Sequence, residues 1–131
     1  PYDTNTSRII PNTIKRIKQG YNPVIWKGSE EAIREFIYVE DVVDAYLSLV
    51  KNIDKTKGEA FNIGSGCKIS MKDLVEKIIK QMNDKISIDY IGKNFPEINH
   101  QYVDASKIKK FINWKSKINL DEGLKLTINS A

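Results

Sequence analysis

The stretch Ile33-Arg34-Glu35-Phe36-Ile37-Tyr38-Val39-Glu40-Asp41-Val42-Val43-Asp44-Ala45-Tyr46 limits what this chain can become more than any other part of it. Phe36 to Val39 supplies two aromatics and two β-branched residues, the chemistry of a short strand. Glu40 and Asp41 suit a helix N-terminus, where carboxylates meet the positive end of the dipole. Val42, Val43, Ala45, Tyr46, Leu49 and Val50 then recur at helical spacing, which predicts an amphipathic helix of about three turns. A strand that carries an arginine to its mouth and is pinned by a helix is suited to holding a phosphate.

The rest of the chain arranges itself around that unit. Ile9, Ile10, Thr13, Ile14 and Ile17 predict a first helix within residues 6–19, with Pro11 tolerated in its opening turn and Gly20 stopping it. Val24-Ile25-Trp26 reads as a strand, and Lys27 to Glu31 as a turn that makes it a hairpin partner of the Arg34 block. After the central helix, Asp54 to Gly58 reads as a solvent loop and Ala60 to Ile63 as a strand. Ser70, with Asp73 three residues on, predicts a helix start whose buried face carries Leu74, Val75, Ile78, Ile79 and Met82. Ile86 to Ile91 alternates as a half-buried strand, and residues 92–101 form a loop. A short helix runs from Asp104 to Phe111, Asn113-Trp114 closes it, and a last helix spans about Leu120 to Ile128. The sum is a mixed α/β fold of short strands with four or five helices in one unit, residues 1–131.

Composition excludes several classes. No run approaches ~20 apolar residues, so no helical membrane span is expected. The single cysteine, Cys67, rules out an internal disulfide and fits a reducing compartment, so the chain reads as cytoplasmic. The net charge of +4 comes from lysines spread along the chain, the pattern of a solvated surface. One histidine and one cysteine offer no metal-ligand spacing and no nucleophilic triad. The opening Pro1-Tyr2-Asp3, without methionine or strand, reads as the start of a fragment.

Gly64-Ser65-Gly66 between a strand and a helix invites a dinucleotide-binding reading. The third glycine of that fingerprint would fall at Ile69, and the acid about 20 residues on is Asp84 or Asp89. A tight strand-to-helix turn is the simpler reading.

The Arg34 block resembles the "R-D-(F/Y/W)-(I/L)-(Y/H)-V-x-D" segment of the extended short-chain dehydrogenase/reductase family, the sugar-nucleotide epimerases and 4,6-dehydratases. Ser7-Arg8-Ile9-Ile10-Pro11 is similar to its "(K/R)-(L/I)-I-P" helix start, and Pro23-Val24-Ile25 to the strand that packs against the nucleotide base. Phe61-Asn62-Ile63-Gly64-Ser65-Gly66 is similar to "(T/F)-N-(I/L)-G-(S/G)-G". His100 to Lys107 with Asn113-Trp114 resembles the family's closing segment. Order and spacing together carry the likeness, from the first residues to Leu124, and it is to the second half of the family only.

The resemblance implies that Arg34 grips the substrate diphosphate, that Arg8 and Ile9 lie beside the nucleotide, that Ile25 meets the base and that Asn62 lies near the substrate. For each the residue chemistry leaves a plainer reading open: an exposed arginine, a core strand, a turn-capping amide. Many members carry a second phosphate-binding arginine just before the closing segment. Here Asn99, His100 and Gln101 stand in that region, so His100 is either a substitute donor or a solvent-exposed side chain. Asp104 reads as a helix cap and Trp114 as core.

Members of that family work by transient oxidation of the sugar with hydride passing to NAD. The resemblance places the NAD site and the catalytic tyrosine and lysine in an N-terminal Rossmann half that precedes this region. Within the chain Tyr-x-x-x-Lys does not occur. The expectation is therefore a substrate-binding, C-terminal part that binds a nucleotide-diphosphate sugar, is inactive alone, binds no NAD itself, partners the missing Rossmann half and belongs to a homodimeric parent. Two rivals remain: a stand-alone basic module for nucleic acid, which the core-like placement of the aromatics disfavours, and a structural assembly piece.

Overall fold

A computed structural model of the chain describes residues 1–83, 85–94 and 96–131. Its elements in order are α1 (Ile9–Lys18), β1 (Val24–Trp26), β2 (Ile33–Glu35), α2 (Val39–Lys51), α3 (Ile53–Thr56), β3 (Lys68–Ser70), α4 (Met71–Met82), β4 (Asp89–Ile91), β5 (His100–Gln101), α5 (Ser106–Ile112) and α6 (Leu120–Ser130). None of these helices is long and apolar enough to cross a membrane. The mixed α/β character is as expected. The extra helix is α3, a single turn where a loop was predicted, closed because the Thr56 hydroxyl donates to the carbonyls of Leu49 and Asn52.

Helix punctuation follows the residue chemistry. Gly20, at φ 79°, ends α1 in the left-handed conformation, with its N–H donating to Ile17 and that of Tyr21 to Arg16. Ser70 Oγ accepts from the Asp73 N–H at 3.0 Å and caps α4. Asn113, at φ 54°, closes α5.

Strand pairing departs from local expectation. The predicted hairpin does not form. β1 pairs parallel with β4, Ile25 opposite Tyr90, while β2 pairs antiparallel with β3 and parallel with β5. The turn after Trp26 explains the divergence. Ser29 N–H donates to Trp26 and Ala32 N–H to Ser29, and buried Ala32 leads into β2, which lies in a different sheet. β2 itself lies upstream of the strand-like residues, at Ile33–Glu35, and Phe36 to Tyr38 continues without a ladder. Residues 60–63 are likewise outside any ladder, and only residues 89–91 of the predicted 86–91 strand pair. Ile86 and Ile88 instead pack at the margin of the core.

Two apolar clusters hold these pieces. The larger joins Ile14 and Ile17 of α1, Leu74, Val75, Ile78 and Ile79 of α4, Ile25, Ile69 and Leu124. The smaller gathers Ala45 of α2, Ile108 of α5 and Trp114, with Leu49, Phe61 and Ile63 against it. Each such fully buried aliphatic contributes about 1.5–3 kcal/mol of transfer free energy. The smaller cluster uses only one side of α2. Val43, Tyr46 and Val50, predicted to belong to its apolar face, are 53%, 62% and 65% exposed.

Candidate functional site

Arg34 sits mid-strand in β2 with its side chain 18% exposed. Alternation along the strand sends it to the face it shares with Ile69 and Gln101. Its Nη1 donates to the carbonyls of Ile33 at 2.9 Å and Ile98 at 2.7 Å, and Nη2 to Glu97 Oε1 at 2.7 Å. Glu97 Oε1 also accepts the Ile98 N–H at 2.9 Å, so the acid is fixed as well. A guanidinium has five N–H donors in a rigid fork. Among the described residues these contacts use three of them.

Glu35, the next residue, faces the opposite way. Its Oε1 accepts the Gly66 N–H at 2.6 Å and its Oε2 the Val103 N–H at 3.0 Å, stitching the 64–66 turn to the end of β5. A Cβ on Gly64 would lie 2.6 Å from that carboxylate, so any larger residue there must displace the Glu35 side chain. The Glu35 contact occupies the Gly66 N–H with a carboxylate, the donor that the pyrophosphate of a dinucleotide in this turn would need. Of the two acids considered for that motif, Asp89 is in β4 and Asp84 lies outside the described residues.

The other predicted site residues scatter. Arg8 is the N-cap residue of α1, its side chain exposed and paired with Asp3 at 2.9 Å. The Asn5 backbone N–H, and then the Arg8 guanidinium, hold the Asp3 carboxyl below the usual range. Arg8 and Ile9 line a cavity of about 1040 Å³ shared with Ile10, Tyr38, Leu120 and Thr127. Burial, then the charges of Glu40 and Tyr2, pushes the Tyr38 phenol up. Ile25 is only 2% exposed and belongs to the core, whereas its neighbour Trp26 faces outward beside Gly92. Asn62 Nδ2 donates to the Asp104 carbonyl at 3.2 Å. His100 lies opposite Ile33 in the ladder, hence on the face away from Arg34, with its ring edge-on to Tyr102 at 6.5 Å. Among the described residues none of Arg8, Asn62 and His100 bonds to Arg34.

Residue patterns gave Glu97, 63 positions from Arg34, no role as its partner. They had also passed over the roles of Asp41 and Asp44. Asp41, 3% exposed, accepts the N–H groups of Lys117 and Ile118 at 2.9–3.1 Å. Asp44 accepts the Trp114 indole N–H at 2.8 Å and the Lys117 ammonium at 3.1 Å. Together they tie the 114–118 loop to the start of α2. No group of three or more His, Cys, Asp or Glu side chains among the described residues could hold a metal ion.

This geometry defines an α/β lobe in which the Arg34 guanidinium is oriented by one carboxylate and two backbone carbonyls. A family model described as "GDP-mannose 4,6 dehydratase" matches residues 1–127. A curated relative, the putative UDP-arabinose 4-epimerase 2 of Arabidopsis thaliana, is 35% identical over 95 residues, 72% of this chain and 23% of that protein. The solved UDP-N-acetylglucosamine 4-epimerase of Methanobrevibacter ruminantium, in complex with UDP-N-acetylmuramic acid, superposes with a TM-score of 0.81 at 26% identity. That match covers 97% of this chain and 40% of that one. The dTDP-glucose 4,6-dehydratase of Bacillus anthracis, solved with NAD, shares the fold with a TM-score of 0.74 at 22% identity, over 94% of this chain and 38% of that one. The chain belongs to the extended short-chain dehydrogenase/reductase family of sugar-nucleotide epimerases and dehydratases. It spans well under half the length of the relatives it matches.

Proposed function

We propose that this chain is the substrate-gripping part of an NAD-dependent nucleotide-sugar epimerase or 4,6-dehydratase, and that Arg34 anchors the substrate's diphosphate. The preset guanidinium of Arg34, with two N–H groups left over, carries the reading. Fixing the fork before binding spares most of the ordering cost, so a charge-assisted contact to phosphate retains its ~1.5–3 kcal/mol. Clamping a remote phosphate orients the sugar carbon that reacts, which is catalysis by positioning. Ile25 of β1, buried in the core, stays assigned to the strand that meets the base and supports it from beneath. Arg8, Ile9, Asn62 and His100 remain assigned to the substrate's surroundings.

In this reading the nicotinamide cofactor, the catalytic tyrosine and lysine and the homodimer contacts belong to the rest of the polypeptide, and the chain is inactive by itself. The test is titration of the full-length polypeptide with UDP-, CDP-, GDP- and dTDP-sugars, with and without Arg34→Ala. The substitution is expected to weaken binding of the preferred nucleotide sugar roughly tenfold to hundredfold. Unchanged affinity in the variant refutes the assignment of Arg34. Absence of binding by all four in the unmodified polypeptide refutes the substrate reading.

A further inference from the structure

An arginine side chain turns about several bonds, so a guanidinium on a three-residue strand takes a fixed direction only where something holds it. Across the ladder Arg34 is flanked by Ile69 and Gln101, and among the described residues neither side chain bonds to its guanidinium. The contact to the Ile33 carbonyl, at 2.9 Å, is to the adjoining residue and moves with the strand. The other two contacts both come from residues 97–98. The Ile98 carbonyl accepts from Nη1 at 2.7 Å, and Glu97 Oε1 accepts from Nη2 at 2.7 Å.

Those two contacts are themselves anchored. Glu97 Oε1 accepts the Ile98 N–H at 2.9 Å, which closes the acid onto its own backbone. Just beyond, the Ile33 N–H donates to the Asn99 carbonyl at 2.7 Å, where β5 begins its parallel run beside β2. Residues 97–99 thus form a clasp, fixed to β2 at one end and to the guanidinium at the other. The side chains of Arg34 and Glu97 are 18% and 25% exposed, which shields the pair from much of the solvent that makes surface pairs weak. A carboxylate also lowers the potential beside the arginine, so by charge alone it works against an anion there. What it can add to anion binding is direction, one acceptor that sets the edge of the fork next to the Ile98 carbonyl.

We propose that Glu97 is a positioning residue, which acts on the diphosphate of a nucleotide sugar only through Arg34. The inference rests on the assignment of Arg34 to that diphosphate, and it adds the residue that sets the guanidinium's direction. Acceptor geometry rather than charge performs this role. Among the described residues both bonds of the carboxylate are made by Oε1, and a glutamine amide oxygen in its place accepts from the same two donors. Aspartate keeps the charge but falls one methylene short.

A double-mutant cycle on the full-length polypeptide tests this, with UDP-, CDP-, GDP- and dTDP-sugars as the probes. Glu97→Ala is expected to weaken binding of the preferred probe about three- to tenfold, the ordering cost of an arginine side chain left free. Glu97→Gln should stay within about twofold of the unmodified polypeptide, and Glu97→Asp should fall as alanine does. On an Arg34→Ala background, Glu97→Ala should change affinity by less than about twofold, because a residue acting through Arg34 has nothing left to act on. A second readout needs no ligand. With nitrogen-labelled arginine, the guanidinium resonances that Arg34→Ala deletes should show hindered rotation in the unmodified polypeptide and in Glu97→Gln, and free rotation in Glu97→Ala. Free rotation in the unmodified polypeptide overturns the proposal. Equal losses from Glu97→Ala with and without Arg34 overturn it, since the acid then meets substrate or supports the fold by itself. Tighter binding by both Glu97→Ala and Glu97→Gln overturns it as well, since charge then outweighs direction. Loss of affinity in Arg34→Ala with none in Glu97→Ala sinks this inference alone. Unchanged affinity in Arg34→Ala sinks the diphosphate assignment, and this inference with it.

Discussion

Asp41→Asn is the substitution that the structure makes most costly for its size. The carboxylate is 3% exposed in the first turn of α2 and accepts two backbone N–H groups, from Lys117 through both oxygens and from Ile118 through Oδ2. A hydrogen bond to an ionised group contributes about 1.5–3 kcal/mol, and an abandoned buried donor costs about 1–3 kcal/mol. Asparagine with its oxygen at the Oδ2 position still accepts from both N–H groups, and its NH2 replaces Oδ1 opposite Lys117. The charge assistance of both bonds and the second Lys117 contact are lost, for a destabilisation of roughly 1–3 kcal/mol. At roughly 4 °C per kcal/mol for a chain of this size, the melting midpoint falls by roughly 4–12 °C. Urea unfolding followed by tryptophan emission reads the change, since Trp114 is buried and held by Asp44 in the same junction. The midpoint should fall with the slope unchanged. A loss below about 0.5 kcal/mol, the scale of an ordinary surface substitution, refutes the claim that this carboxylate holds the loop.

Two other outcomes follow from neighbouring contacts. The Trp114 indole N–H, and then the Lys117 ammonium, hold the Asp44 carboxyl below its ordinary value of 3.8. A depressed folded-state pKa means that the stabilisation is complete above the unfolded value and is lost as pH falls through the folded one. The Trp114 indole N–H resonance should therefore move only in acid, below the normal aspartate range, and Asp44→Ala should remove that titration. Gly64→Ala places a methyl 2.6 Å from Glu35 Oε1 and 2.7 Å from Val103. Glu35 can retreat only by giving up its bonds to Gly66 and Val103, so a loss of about 1–3 kcal/mol is expected in the same urea assay.

How far the sequence could be read depended on how local each interaction is. α1, α4 and α6 show their apolar periodicity, and Ser70 and Gly20 announce helix ends, because caps and periodicity are settled within a few residues. Strand partners are not. Val24–Trp26 has strand composition, but nothing local says that its neighbour is Asp89–Ile91 rather than the nearer β2. α2 misled for a related reason. Its apolar residues were read as a single inward face, whereas they divide between an inner side at Ala45 and Leu49 and an exposed stripe, and a helical wheel does not say what covers each side. At the candidate site, Arg34 could be singled out by its block. Its partner Glu97 could not, because an acid brought in by parallel pairing of β5 with β2 carries no signature of its own.

The adjacency of Arg34 and Glu35 makes register the decisive property of the site. On a strand the two point to opposite faces, and each finds complementary chemistry there: an acid and two carbonyls for the guanidinium, two backbone N–H groups for the carboxylate. A slip of β2 by one residue against β3 and β5 would turn Glu35 toward Glu97 and Arg34 toward the Gly66 and Val103 donors. Like charges would meet on one face, and donors would meet donors on the other. Both errors occur in half-buried surroundings, where each unpaired group costs about 1–3 kcal/mol. A three-residue strand has too few ladder bonds to hold its register unaided. Here the alternating charge pair does so, and the side chain proposed to meet a phosphate is also part of what keeps its own strand in place.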